Sequence, residues 1–440
     1  MLNKLAAASQ KLSPNLRQII GNTAWLFSEK IWQMGLGLLV GVWVARYLGP
    51  ESFGLFNYAT AIVGLLSPLA KLGLDSIIVR DLARNKFLRD ETLGTAFALR
   101  ITSSTLMFFL IVGGTYLLSP DDNLMRWLVG IVAVGTICQS FEIIDFWFQS
   151  QVQAKYSVWA RNAAYVLLSG VKVFLIVTKA PLVAFAGAMA AEQAIAALGL
   201  VIVYRWQGNF LKAWDINVQR AKTLIKDSWP LILSGIVIMI YMRIDQIMLG
   251  QMQSVESVGI YSAAVKISEL WFFVPMAVVN SVFPSIVQAK DINEETYYSR
   301  IQKLFNLMCL LAYAVAIPMT FLSPYIVTLI YGQDYAEASS ILTVHVWMGL
   351  FATLGVAREV WLTTEGLMKF SAVTTTTGAL VNVILNYFFI PIYGGIGAAV
   401  ATVIAQMVSA YAIGAFYPPT RKIFFKQTKA LFLLGWFKNT

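Results

Sequence analysis

About twelve runs of roughly 20 mostly apolar residues follow one another along this chain, near 22–48, 53–79, 92–118, 124–150, 157–178, 182–204, 229–250, 258–288, 303–323, 336–363, 369–391 and 394–417. A helix needs about that length to cross the ~30 Å hydrocarbon layer of a bilayer with its backbone groups satisfied internally. Of the 440 residues 58% are hydrophobic and only 13% charged, too few to clothe a water-facing surface. The sequence therefore predicts an all-α integral membrane protein with about twelve transmembrane helices.

Cations gather on alternate connectors. Lys4, Lys11 and Arg17 precede the first span, Arg84, Lys86 and Arg89 follow the second, and Lys155 and Arg161 bracket the connector after the fourth. Lys212, Arg220, Lys222 and Lys226 lie between the sixth and seventh, Lys290 and Arg300 after the eighth, and Arg421, Lys422, Lys426 and Lys429 after the last. The other connectors hold Asp121-Asp122, 251–257 and 331–334. By the positive-inside rule both termini are expected in the cytoplasm, with the first span an uncleaved anchor. The net charge of +10 follows from this topology and calls for no nucleic-acid partner.

The spans come in two sets. Asp145-Phe-Trp147 with Lys155-Tyr-Ser157 matches Glu359-Val-Trp361 with Lys369-Phe-Ser371 at a spacing of 214 (361 − 147), and Pro181 to Gly187 matches Pro391 to Gly397 at 210 (391 − 181). Arg46-Tyr-Leu-Gly49 before Phe53-Gly54 likewise matches Gln246-Ile-Met-Leu-Gly250 before Val258-Gly259. Matched segments fall on one membrane side, so the repeats are parallel, as in alternating-access transporters. The expected organisation is a cytoplasmic segment 1–20, a six-helix lobe 21–207, a linker 208–228, a second lobe 229–417 and a basic tail 418–440. Lys222 to Lys226, and Phe424 to Phe437, read either as interfacial amphipathic helices or as solvated basic connectors.

Charge inside a span costs ~2.5–3.5 kcal/mol at mid-helix and persists where it is paired or wet. Gln139, Glu142, Asp145 and Gln149 form one stripe of the fourth span; Arg161, Tyr165, Leu168 and Lys172 form one face of the fifth. The two stripes line a hydrophilic cavity or tie the helices together. Glu29 and Gln33 share a face with Gly37, while Arg243 and Asp245 point apart on the seventh span. Lys71 with Asp75, and Lys266 with Glu269, have the spacing of local ion pairs. His345, on a face with Met348, Ala352, Gly355 and Glu359, is a packing histidine or a proton shuttle. Pro68, Pro275, Pro284 and Pro318 are expected to kink their helices.

Cys138 and Cys309 lie inside spans and make neither a disulfide frame nor a metal cluster. No phosphate loop, HExxH, Cys-x-x-Cys or Gly-x-Ser-x-Gly is present, and no connector is long enough for a catalytic domain, so neither an enzyme nor a resident metal or cofactor is expected. A membrane polysaccharide polymerase or ligase is the enzyme rival.

Ala45-Arg46-Tyr-Leu-Gly49-Pro-Glu-Ser-Phe-Gly54, Leu72-Gly-Leu-Asp75 through Arg80-Asp-Leu-Ala-Arg84, and Asp245-Gln-Ile-Met-Leu-Gly250 with Val258-Gly259-Ile-Tyr261 resemble the Wzx-type O-antigen flippases, the polysaccharide branch of the multidrug/oligosaccharidyl-lipid/polysaccharide exporter superfamily. The resemblance spans nearly the whole chain. It implies two six-helix lobes about a central cavity, in a bacterial cytoplasmic membrane, turning undecaprenyl-diphosphate-linked oligosaccharide from the inner to the outer leaflet. Membrane lipids, a coupling ion (H+ or Na+) and polysaccharide polymerase machinery are the partners it implies. Positive charge for the diphosphate maps onto Arg46, Arg80, Arg161, Lys172 and Arg243. The acidic candidates Glu142, Asp145, Glu29, Asp245 and Glu359 are left for sugar hydroxyls or a coupling proton. Drug exporters of the same superfamily share the twelve-span plan and supply the rival function, a cation-coupled exporter. Residues 15–49 lack the helix-bending proline those exporters often carry, and the candidates mix arginine with carboxylate, which favours an anionic cargo.

Overall fold

A computed structural model of the protein describes residues 14–118 and 121–434, which are helical almost throughout and contain no strand. Lys4 and Lys11, the first thirteen residues of the expected N-terminal segment and the last six of the tail lie outside the described residues. The first half of the chain forms α1 (Pro14–Lys71), α2 (Asp75–Arg84), α3 (Arg89–Leu118), α4 (Asn123–Cys138), α5 (Ile143–Ser150), α6 (Lys155–Val177), α7 (Leu182–Trp206) and α8 (Val218–Met252). The second half forms α9 (Val255–Glu269), α10 (Phe273–Ile292), α11 (Glu294–Tyr331), α12 (Ala338–His345), α13 (Met348–Thr364), α14 (Met368–Ala410) and α15 (Arg421–Leu431).

Among the described residues ten helical runs are long and apolar enough to cross a membrane. Two of them break at a glycine: Gly49 in α1, at φ 71°, and Gly394 in α14, at φ 56°. The ten therefore resolve into the twelve expected crossings. The breaks sit at glycine because a left-handed φ is cheap only without a Cβ. The expected proline kinks are not where the chain turns. Pro275 sits in the first turn of α10, where no helical hydrogen bond is lost, and α10 and α11 run on past Pro284 and Pro318. Pro68 precedes the end of α1 by three residues, and the reversal there is made by Leu72 and Gly73 at positive φ.

Polar caps start the helices that follow tight connectors. Asp122 accepts from the Met125 amide at α4, Ser254 from Ser257 at α9, and Asn293 from Thr296 at α11. The Lys222–Lys226 segment is not a separate interfacial helix but the opening turns of α8. The basic tail does form its own helix, α15, whose Ile423, Gln427 and Ala430 are buried.

The chain divides into two compact units. One gathers residues up to Tyr47 with Ile62–Ile236; its core joins Ile77, Ile78 and Leu82 of α2 to Ile143, Ile144 and Phe148 of α5, with Leu74, Leu93, Leu200 and Tyr204. The other gathers Leu48–Ala61 with Val237 onward; its core joins Ile301, Phe305 and Met308 of α11 to Leu354, Trp361 and Leu362 of α13, with Ile423 of α15. In this second unit the segment 48–61 crosses α9 with almost no gap. A Cβ on Gly54 would lie 1.7 Å from the Val255 carbonyl oxygen, and one on Gly259 would lie 2.0 Å from that of Pro50. These are the two glycines matched by the internal repeat, and each serves as the flat face for the other's backbone. Large apolar side chains such as Phe109, Phe174, Tyr325 and Leu329 remain exposed, as lipid-facing residues do.

Candidate functional site

In the first unit α6 presents Arg161 to two carboxylates from different helices. Its Nε and Nη2 donate to Oε1 and Oε2 of Glu29 at 2.7 and 2.9 Å, and its Nη1 donates to Asp145 Oδ2. The Gln149 amide donates to Asp145 Oδ2 at 2.9 Å; that of Gln33 donates to Glu29 Oε1 and Asn162 Oδ1, and Tyr165 donates its hydroxyl to the Gln33 carbonyl. A fork held in this bidentate way is the strong form of an arginine–carboxylate pair. The Glu29 and Asp145 side chains are 8% and 5% exposed, against 24% for Arg161, so the cluster is a partly open interior site with one negative charge in excess. Lys172, one face along, pairs with Glu192 of α7 at 2.8 Å rather than with α4 or α5.

The expected stripe of the fourth span is split. Residues Gln139–Glu142 form a 3-10 turn between α4 and α5, and tighter winding rotates Glu142 away from Asp145. Glu142 instead accepts from Lys71 Nζ at 3.3 Å and lies 3.7 Å from Arg100, whose remaining donors go to Asp75 and the Lys71 carbonyl. The local pair expected between Lys71 and Asp75 is thus replaced by a four-charge network centred on Arg100, a residue 1% exposed. Arg100, a lone arginine in an apolar run, and Glu192 on the sixth span are the sequence signals for these partners. Arg80 lies outside these interiors: it binds Asp81 and Asp227 at 2.8 Å, and Arg220 holds the other Asp81 oxygen. Arg46 is exposed and pairs with no carboxylate among the described residues.

In the second unit α8 buries Asp245. Tyr261 and Thr402 each donate a hydroxyl to Oδ2 at 2.7 Å, and the Asn386 amide donates to Oδ1. Asn382 closes the ring through Asn386 and Thr402 at 3.2 and 3.3 Å. All five side chains are buried, no cation pairs with Asp245 among the described residues, and Asn386 Oδ1 is left without a partner. A carboxylate in such a place is stabilised by neutral donors alone, which leaves room for a proton or small cation to balance it. Asn382 and Asn386, one turn apart in the eleventh span, are the sequence clue to this site. Arg243 faces elsewhere, as its spacing from Asp245 requires; its Nη1 lies 3.4 Å from Gln246 and the guanidinium is within Coulombic reach of Glu269. His345 is buried, bonded to Ser268 at 2.9 Å and edge-on to Tyr261; α12 ends at it, so the face expected to continue to Glu359 is interrupted. Glu359, the repeat partner of Asp145, is 39% exposed and accepts from Ser371 at 2.9 Å, with Arg358 3.6 Å away. Lys266 places its ammonium over the Phe53 ring at 4.5 Å.

A family of polysaccharide biosynthesis proteins matches residues 19–290, more than half of the chain. The chain belongs to the polysaccharide biosynthesis protein family. The MatE family model also matches, over residues 230–388. The chain is 23% identical over 398 residues to a probable flippase, AglR, of Haloferax volcanii, covering 87% of this chain and 80% of that protein. It is 23% identical over 414 residues to a putative O-antigen transporter of Shigella flexneri, covering 89% and 96%. Among solved structures it resembles a multidrug resistance MATE family transporter of the MOP superfamily in an inward-facing conformation, at a TM-score of 0.74, 17% identity and 90% and 95% coverage. It also resembles the lipid II flippase MurJ, at 0.67, 17%, and 94% and 93%. The resemblance drawn from Arg46–Gly54 and the segments matched with it is borne out, as is the all-α, multi-pass membrane fold.

Proposed function

We propose that the protein is a flippase of the bacterial cytoplasmic membrane, carrying lipid-linked oligosaccharide units from the inner to the outer leaflet for surface polysaccharide assembly. The observation that carries this is its alignment, along more than four-fifths of its length, with proteins described as a flippase and an O-antigen transporter. The protein moves its cargo without making or breaking a covalent bond. The carrier is undecaprenyl diphosphate, whose charge must be compensated as it leaves water. Of the five cations mapped to that task, Arg80, Arg161 and Lys172 already hold carboxylates, which leaves Arg46 in the first unit and Arg243 in the second as separate candidates for the diphosphate. A coupling cation, a proton or Na+, falls to Asp245, an uncompensated carboxylate that accepts from the hydroxyls of Tyr261 and Thr402 and from the amide of Asn386, with Asn382 bonded behind them.

The MatE match favours one alternative, a cation-coupled exporter of amphipathic small molecules. Cells lacking the protein separate the two. The flippase predicts loss of surface glycan and accumulation of lipid-linked repeat units at unchanged drug sensitivity. Normal surface glycan with raised drug sensitivity would contradict it.

A further inference from the structure

A groove of about 590 Å³ opens on the outside of the second unit, lined by Leu310, Tyr313 and Ile317 of α11 and by Leu431, Phe432 and Leu433 at the end of α15. Its walls are apolar and its volume suits a flexible hydrocarbon ligand. The Tyr313 hydroxyl donates to the Leu431 carbonyl at 2.8 Å and fixes the inner end, and Phe432 and Leu434 stay exposed at the rim.

Beyond the residues that line this groove, both helices carry lysines. On α11 the stripe Leu310, Ala314, Ile317 continues backward through Leu307 to Lys303, about 10 Å from Leu310 along the axis. On α15 the stripe that ends at Phe432 carries Lys422, Lys426 and Lys429. The two meet where the Gln302 amide donates to the Lys426 carbonyl at 3.0 Å. Lys422 and Lys426 both lie over the Tyr298 ring, at 3.4 and 5.5 Å from its centre. Among the described residues only Glu294 pairs with one of them, 3.7 Å from Lys422 and 84% exposed. Burial, and then Lys429 and Lys422, hold the Lys426 ammonium below its ordinary pKa, so this is a patch of crowded positive charge.

We propose that this groove binds an anionic glycerophospholipid of the surrounding membrane, with one acyl chain between α11 and the end of α15 and the phosphate among Lys303, Lys426 and Lys429. Basic pockets beside membrane helices recognise lipid headgroups in this way. The bound lipid holds α15 on α11, so the lipid around the protein contributes to the stability of the second unit independently of what the protein transports.

Native mass spectrometry of the purified full chain, titrated with phosphatidylglycerol and with phosphatidylcholine of identical acyl chains, tests this. Phosphatidylglycerol is expected to be retained selectively. At about fivefold per lysine, the double substitution Lys426→Gln/Lys429→Gln weakens its binding roughly thirtyfold. Ala314→Trp, on the lipid-facing stripe, fills the groove and removes the selective adduct with the lysines intact. Equal retention of the two lipids, or unchanged selectivity in both variants, would overturn the proposal. So would preferential retention of a polyprenyl diphosphate abolished by the same substitutions, which would give the groove to the carrier.

Discussion

The charged side chains separate by what already holds them. Arg161 is the clasp for two buried carboxylates from α1 and α5, so Arg161→Ala leaves Glu29 and Asp145 uncompensated. Breaking a buried pair in this way costs about 3–5 kcal/mol, and the expected outcome is a lower melting temperature and poor yield in detergent. Arg46→Ala removes an exposed cation that pairs with no carboxylate among the described residues and is expected to change stability by less than about 0.5 kcal/mol while stopping transport. A variant of Arg46 that unfolds, or one of Arg161 that melts like the wild type, would reverse these assignments. Partners of this kind were the least legible part of the sequence. Spacing along one helix suggests Lys71 with Asp75, but in the structure each finds a stronger partner on another helix, Glu142 and Arg100, and such pairs are made by tertiary packing that no local period encodes. Asp145 with Arg161 was legible because both lie on polar stripes of successive spans, where lipid excludes any other resting place.

Helix breaks follow the backbone more than the side chains. Apolar runs of the right length had to be helices in lipid, which is why the twelve crossings could be read in advance, yet glycine in an apolar run reads equally as a packing face or a hinge. Gly49 and Gly394 proved to be the breaks, while Gly54 and Gly259 are faces pressed against backbone. Gly259→Leu drives a side chain into the Pro50 carbonyl and is expected to cost about 1–3 kcal/mol, read as a fall in melting temperature. Gly35→Ala, whose Cβ meets nothing within 4 Å, is the control and is expected to be neutral or stabilising. The 3-10 turn at Gln139–Glu142 was illegible for the opposite reason: nothing in that segment forbids an α-helix, and its winding follows from the separate partners that Glu142 and Asp145 reach.

At the scale of the molecule, duplication was visible because Trp147 and Trp361, with their flanking charges, kept their spacing, although their settings have diverged: Asp145 is buried in an ion pair and Glu359 is half-exposed beside Arg358. The two units carry different polar interiors, one ionic around Arg161 and one neutral around Asp245. That difference is the ground for proposing ion coupling in the second unit. The most direct measurement places the purified protein in sealed vesicles containing a fluorescent undecaprenyl-diphosphate-linked oligosaccharide and follows the glycan with a membrane-impermeant enzyme that cleaves it. The account predicts that glycan moves across the bilayer, that an imposed proton or Na+ gradient drives it, and that Asp245→Asn stops the gradient-driven movement while melting no lower than the wild type. Vesicles in which the glycan stays on its original side, or in which Asp245→Asn responds to the gradient as the wild type does, would contradict it.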